Sequence, residues 1–316
     1  MSVRVRLKRC FFGAAGLAGA IALLLASAFP AGGFVRKPPP LPLIVSTSIT
    51  ECGRITHPGY YEVDSPLTAG SDPADCIQIS AANVLLNLNG QTITGVKAGS
   101  GVHAMRSGAQ AYIEGGGATI ADFMDGVEID GVGANAENFI ASDNFDAGVL
   151  LNHARLATVS NFAVNITSGG AGLDGVRLDG AAQNSIESFS ASHLNRFGVW
   201  LLGSSHNSIS GFTITYNGIA GIYLGCSMTG PDGSCKPASP KSMFNAVFNG
   251  VSSDNSSGQA GYGVAADVGD ISNRFSNITA KENATDDVFD ANDVCGKNAW
   301  FALTFGSSQV PAPCTD

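Results

Sequence analysis

Apolar and polar positions alternate in short runs along most of this 316-residue chain, and the runs repeat. Gly175-Val176-Arg177-Leu178 is followed by Asn184-Ser185-Ile186, and Gly198-Val199-Trp200-Leu201 by Asn207-Ser208-Ile209. Gly221-Ile222-Tyr223-Leu224 opens a third round. The three glycines stand 23 residues apart, and a fixed period of that size marks a stack of equivalent coils. Val and Leu of each unit are two positions apart, so both face one side of a strand. Both are apolar, so that side is the interior. The residue between them and the residue after the Leu face outward.

The same unit starts at Gly101, Gly126, Gly148 and Gly263, and Asp287 replaces the glycine in the last round. Val102, Val127, Val149, Val176, Val199, Ile222 and Val264 are expected to stack into one interior ladder. Asn138, Asn184, Asn207, Asn245 and Asn273 are expected to form a second ladder at a turn. Asn144, Asn165, Asn195, Asn217, Asn255 and Asn283 are expected to form a third. Asparagine tolerates the left-handed backbone of a sharp corner, and its amide can bond to the coils on either side. One step between units, from Gly221 to Gly263, is too long. It holds Cys226 and Cys235, which predicts a disulfide-closed loop over 226–241 inserted at a corner, with a binding loop or lid as its functional alternative.

Near the start of the repeats, Cys52-Gly53-Arg54-Ile55 and Asn83-Val84-Leu85-Leu86-Asn87-Leu88-Asn89-Gly90 read as strands closed by tight turns. This segment resembles the opening coils of bacterial secreted right-handed parallel β-helix proteins, the pectate-lyase-like superfamily. It is also similar to the periplasmic β-helix proteins of the NosD type, which are linked to copper delivery for nitrous oxide reductase. The resemblance covers roughly Cys52 to Cys314. It implies an all-β, single-stranded right-handed parallel β-helix with disulfide-stapled ends, and it is far less specific for activity.

Composition places the chain. Arg4, Arg6, Lys8 and Arg9, the apolar run Phe11–Leu25 and Ala26-Ser27-Ala28 read as a signal peptide over 1–28. A retained membrane anchor is the alternative. A Pro-rich linker is expected over 29–50 and the β-helix over 51–316. Export to the periplasm or the medium follows, with no membrane contact after signal removal. Six of the seven cysteines lie beyond the signal, and proximity pairs Cys52 with Cys76, Cys226 with Cys235 and Cys295 with Cys314. The net charge of −9 argues against nucleic acid as a partner. The chain is expected to be a monomer, with Trp300 in the core of its C-terminal cap.

The outward positions carry the candidate chemistry. One column reads His103, Glu128, Leu150, Arg177, Trp200, Tyr223, Ala265, Phe289. The next contains Asp130, Asn152, Asp179 and Leu202. Carboxylates, a guanidinium and aromatic rings on one face suit a polysaccharide: rings against sugars, acids for catalysis, Arg for a uronate. Asp174, Arg177, Asp179 and Glu128 are the catalytic candidates of a lyase, epimerase or hydrolase. Trp200, Tyr223, His103, Asp130 and Asn152 are the substrate-binding candidates, and His153 and His193 are alternative bases. The alternatives are a non-catalytic glycan-binding or structural solenoid of the cell envelope and a NosD-type metal-delivery protein. No metal site or cofactor is expected, save that the acidic run 286–293 offers oxygens to calcium.

Overall fold

The computed structural model describes residues 46–70, 75–167, 173–226, 239–256, 261–292 and 297–310. All of them belong to one unit, Lys37–Asp316. The expected signal peptide and most of the linker lie outside the described residues, as do Cys235, Cys295 and Cys314. Among the described residues there is no helix, and so none long and apolar enough to cross a membrane.

The chain winds as a parallel β-solenoid. Among the described residues, each coil from Ser100 to Lys281 gives one strand to an 11-stranded sheet and a longer strand to a 14-stranded sheet, and every pairing is parallel. The expected interior ladder is present. Val102, Val127, Val149, Val176, Val199, Ile222 and Val264 are register partners in the 11-stranded sheet, each almost completely buried. The glycine before each of them is there for closeness. A Cβ on Gly198 would lie 2.6 Å from the carbonyl oxygen of Gly221 in the next coil, and one on Gly126 would lie 2.5 Å from that of Gly148.

The strands of the 14-stranded sheet bend in the middle. Asn138, Asn161, Ser188, Gly211, Asn249 and Asn277 all have φ between 53° and 65° and drop out of the strand register. Inside that bend runs a ladder that the repeat pattern did not reveal. Phe139, Phe162 and Phe189 stack in succession and Phe212 follows with its ring tilted, the centroids 5.3, 5.1 and 6.1 Å apart.

The asparagine ladders exist but differ in membership. Asn184, Asn207, Asn245, Asn273 and Asn298 form one, each Nδ2 donating to the Oδ1 of the next at 2.9–3.2 Å. Asn138 is not part of it. It sits at the mid-strand bend and donates to Glu114. Asn217, Asn255 and Asn283 form the other, ending on Asp287. Asn165 instead belongs to a strand, paired with Ser142 and Ser192. Leu194 takes the ladder place beside Asn195, because its backbone N–H donates to Asn217 Oδ1.

Cys52 and Cys76 are bonded as expected. Cys226 is also disulfide-bonded. At the C-terminal end Trp300 is buried, stacks on Phe275 at 4.0 Å and donates from Nε1 to Asp290. Within the acidic run 286–293, of which Asp293 lies outside the described residues, Asp287 accepts from Asn283, Gly306 and Ser307, and Asp290 from Asn292, Asn298 and Trp300. These carboxylates close the end of the stack.

Candidate functional site on the outer face of the 11-stranded sheet

The strands Ile77–Ile79, Ser100–Ala104, Asp125–Ile129, Ala147–Asn152, Asp174–Asp179, Phe197–Leu202 and Ala220–Leu224 lie side by side. Their register puts Gln78, His103, Glu128, Leu150, Arg177, Trp200 and Tyr223 in one outward column. Asn152, Asp179 and Leu202 are partners in a second. A third column, just before the glycines, holds Ser100, Asp125, Ala147, Asp174 and Phe197. The face is polar over its first five strands and aromatic over the next two.

Two networks occupy the polar part. In the first, His103 Nδ1 lies 2.7 Å from Asp75 Oδ2 and 3.8 Å from Glu128 Oε2, and Nε2 lies 3.4 Å from Asp130 Oδ2. Burial alone would lower the pKa of His103. The Asp75 hydrogen bond and the charges of Glu128, Asp75 and Asp130 outweigh it and push the imidazole up to about 9. Burial likewise works to raise Asp75, but bonds from His103, Ser100 N–H and Gln78 hold its carboxyl below the usual range.

In the second network Arg177 donates from Nη1 to Asp146 at 3.1 Å and from Nη2 to Asp179 at 3.2 Å. Arg196 donates from Nε and Nη2 to Asp174 at 3.2 and 2.6 Å, and its Nη2 lies 3.6 Å from Asp146. Burial raises the Asp174 carboxyl and Arg196 pulls it back. Asp125 joins the two networks electrically. Burial first, then Asp146 and Glu128, push it up to about 8, so it is a neutral acid at pH 7.

The sequence candidates divide accordingly. Asp174, Arg177 and Asp179 share a network, and Glu128, His103 and Asp130 share the other. Asn152 sits half-buried beside Asp179, with its Oδ1 2.8 Å from His153 Nδ1. The side chain of Asp174, a catalytic candidate, is 0% exposed and gripped by Arg196.

Trp200 and Tyr223 occupy the outward column yet are 1% and 0% exposed, so neither offers a ring face to solvent. Trp200 donates from Nε1 to Gly225 O at 2.8 Å, and Tyr223 bonds Asp267. With Phe197, Ala220 and Ala265 they form a second hydrophobic cluster outside the coil interior. Arg177 and Arg196 lie over Trp200 at 4.9 and 5.1 Å. His193 stacks on Tyr216 at 5.2 Å, just beyond the strand Ser185–Ser192 of the other sheet, and takes no part in this face.

Sequence reading missed Asp75, Asp125, Asp146 and Arg196. A signal for one of them was present: Asp-Gly-Val recurs at 125–127 and 174–176, which puts Asp125 in register with Asp174 across one strand. Asp146 and Arg196 immediately precede strands, where the repeat pattern assigns no direction.

A protein-family model described as "Periplasmic copper-binding protein (NosD)" matches residues 72–231, half of the chain. The chain belongs to the NosD family. Among solved structures, the Dettilon tailspike protein (gp208) aligns at 16% identity and TM-score 0.62 over 82% of this chain and 54% of its own. That likeness is one of fold, and the NosD-family chain spans about half the tailspike's length. A mutant of the periplasmic alginate epimerase AlgG aligns at 12% identity and TM-score 0.48 over 82% and 74% of the two chains. The pectate lyase Pel9A aligns at 13% and 0.42 over 86% and 68%. No curated protein matches the sequence.

The family description names copper, and the described residues contain one group of three or more His, Cys, Asp or Glu side chains placed to hold a metal: Asp75, His103 and Glu128. One imidazole and two carboxylates fit Cu(II), which accepts nitrogen and oxygen donors, and not Cu(I), which thiolate and thioether ligands select.

Proposed function

We propose that this NosD-family β-helix binds a neutral polysaccharide along the outer face of its 11-stranded sheet, in the periplasm or outside the cell. One observation carries the proposal. Partly exposed hydrogen-bonding side chains recur over five adjacent strands, at the strand spacing of roughly 4.8 Å. A periodic row of donors and acceptors suits a polymer of repeating hydroxyls better than one small molecule.

Charge selects the polymer. The face carries Asp75, Glu128, Asp130, Asp146, Asp174 and Asp179 against His103, Arg177 and Arg196. Both terminal nitrogens of Arg177 are committed to its own carboxylates, which leaves it poorly placed to take a uronate. Binding is favoured over bond cleavage for a similar reason. Asp174 is paired with Arg196, Asp179 with Arg177, and Glu128 accepts from Ser100 Oγ at 2.6 Å, so no expected catalytic carboxylate is left uncommitted. The Cys52–Cys76 disulfide suits an oxidising compartment.

Affinity electrophoresis in gels cast with neutral or uronate polysaccharides tests this, alongside assays for reducing ends and unsaturated products. Neutral polymers should retard the protein, with no products formed. Asp179→Ala with Asn152→Ala should weaken retardation at least tenfold. Product formation would make the protein an enzyme, and equal retardation of the variant would move the binding face elsewhere.

A further inference from the structure

The outer face of the 14-stranded sheet carries acids without bases. Its strands Tyr112–Ala121, Asn135–Ser142, Thr158–Asn165, Ser185–Ser192 and Ser208–Thr215 contain Glu114, Glu137 and Glu187 but no Lys, Arg or His. The three glutamates stand in one outward column, in register with Ser160 and Ser210. Their hydrogen-bond partners are all neutral. Glu114 accepts from Asn138 Nδ2 at 2.9 Å and from the Gly116 N–H at 3.0 Å, Glu137 from Tyr112, and Glu187 from Ser185. Among the described residues none of the three is in an ion pair, whereas Asp75, Asp174 and Asp179 of the other sheet meet His103, Arg196 and Arg177.

Beside this column the strands bend, and the bend forms a groove of about 750 Å³ that runs across the coils from Gly116 to Gly211. Asn138, Asn161 and Ser188 line it at one position per coil, and Ile140, Ala163 and Ser190 at a second. The Glu114 carboxylate lies at its margin, because Gly116 and Asn138, which both donate to it, are lining residues. The side chains of Asn161, Ser188 and Ser190 make no hydrogen bond among the described residues, so their donors and acceptors are open to a ligand. We propose that this groove binds a linear polysaccharide bearing protonated amines, a β-linked amino-sugar polymer laid across the strands. The groove lies on the other sheet from the face that takes the neutral polymer, and its ligand is a different one.

Charge and spacing choose this ligand together. Carboxylates that no cation of the protein opposes favour a positively charged partner and disfavour a uronate. The coils repeat at roughly 4.8 Å, close to the advance per ring of a β-1,4-linked pyranose chain, so each coil can meet one sugar. A basic peptide advances about 3.3 Å per residue when extended and falls out of step with the coils. Ile140, 38% exposed, and Ala163 offer an apolar wall to ring C–H groups, while Asn161, Ser188 and Ser190 can bond hydroxyls.

Titration calorimetry of the full chain with a β-1,4-linked glucosamine oligomer tests the groove, in a buffer acidic enough to keep the amines protonated. The N-acetylated oligomer and an oligolysine of equal charge are the comparisons, since a chain of net charge −9 attracts any polycation to some degree. The glucosamine oligomer should bind at least tenfold more tightly than either. Glu114→Gln with Glu187→Gln should weaken it at least tenfold, and Ser190→Arg should abolish it. Glu282→Gln, at an exposed corner, should change nothing. Neutral polysaccharide gels should still retard Ser190→Arg as they do the wild type, which shows that the variant is folded. Equal affinity for the acetylated oligomer or for oligolysine would overturn the proposal, as would unchanged affinity in Ser190→Arg or no binding at all. Glucosamine binding lost in Ser190→Arg, in a protein that no neutral gel retards, would uphold the groove and discard the polar face alone.

Discussion

At the scale of single residues, the ladder asparagines act as replacements for backbone. Asn207 accepts from the N–H and Nδ2 of Asn184 and donates to Ala181 O and to Asn245 Oδ1, all within 3.0 Å and out of contact with water. Asn207→Ala leaves the Asn184 N–H buried without its acceptor, at about 1–3 kcal/mol for that group, with the lost amide bonds adding to it. A loss of roughly 2–4 kcal/mol in urea unfolding is expected. Trp200 belongs to the same class of buried, bonded side chains. Trp200→Ala should cost about 3–5 kcal/mol of stability through the cavity it leaves, and a variant that lost only ligand binding would restore the ring to the surface role expected from sequence.

At the scale of the coil, the Gly-Val-x-Leu unit was legible because the 11-stranded sheet is buried on one side and pleated with period two. The full outward column from His103 to Phe289 could be written from the sequence and stands in the structure in that order. The direction of Trp200 and Tyr223 was therefore legible, but their burial was not, since alternation reports which way a side chain points and not what lies over it. Asn138 was misplaced for a related reason. In a chain rich in asparagine, a bend inside a strand and a corner between strands both select it. The glycines are the firmer signal. Gly198→Ala would set a Cβ against Ile214 and 2.6 Å from Gly221 O, so two coils must separate, and overpacking of this kind costs about 1–3 kcal/mol or more. Thermal unfolding would show it as a lowered midpoint without loss of the β signal at low temperature.

At the scale of the whole molecule, the buried carboxylates set the pH response. Asp125 is pushed up to about 8 and Asp270 to about 7, each chiefly by burial, and neighbouring carboxylates add to the rise. The folded chain therefore holds protons that the unfolded chain releases above its ordinary carboxyl pKa of about 4. Stability should fall as pH rises from about 4 to 8. Asp75 and Asp287, both lowered, act the other way, and only below that range. Urea midpoints should be higher at pH 5 than at pH 8, and Asp270→Asn, which mimics the protonated acid, should flatten the slope. A midpoint that rises toward pH 8 would refute the burial of these acids.

The molecule offers a polymer two long outer surfaces, the polar face of the 11-stranded sheet and a groove of about 750 Å³ along the bend of the 14-stranded sheet, lined by Asn138, Asn161, Ser188 and Ser190. We place the neutral polysaccharide on the first. The most direct test compares Asn152→Arg, which crowds the polar face, with Ser190→Arg, which crowds the groove, in polysaccharide affinity gels. Asn152→Arg should abolish retardation and Ser190→Arg should leave it at the wild-type level. The reverse pattern would contradict it.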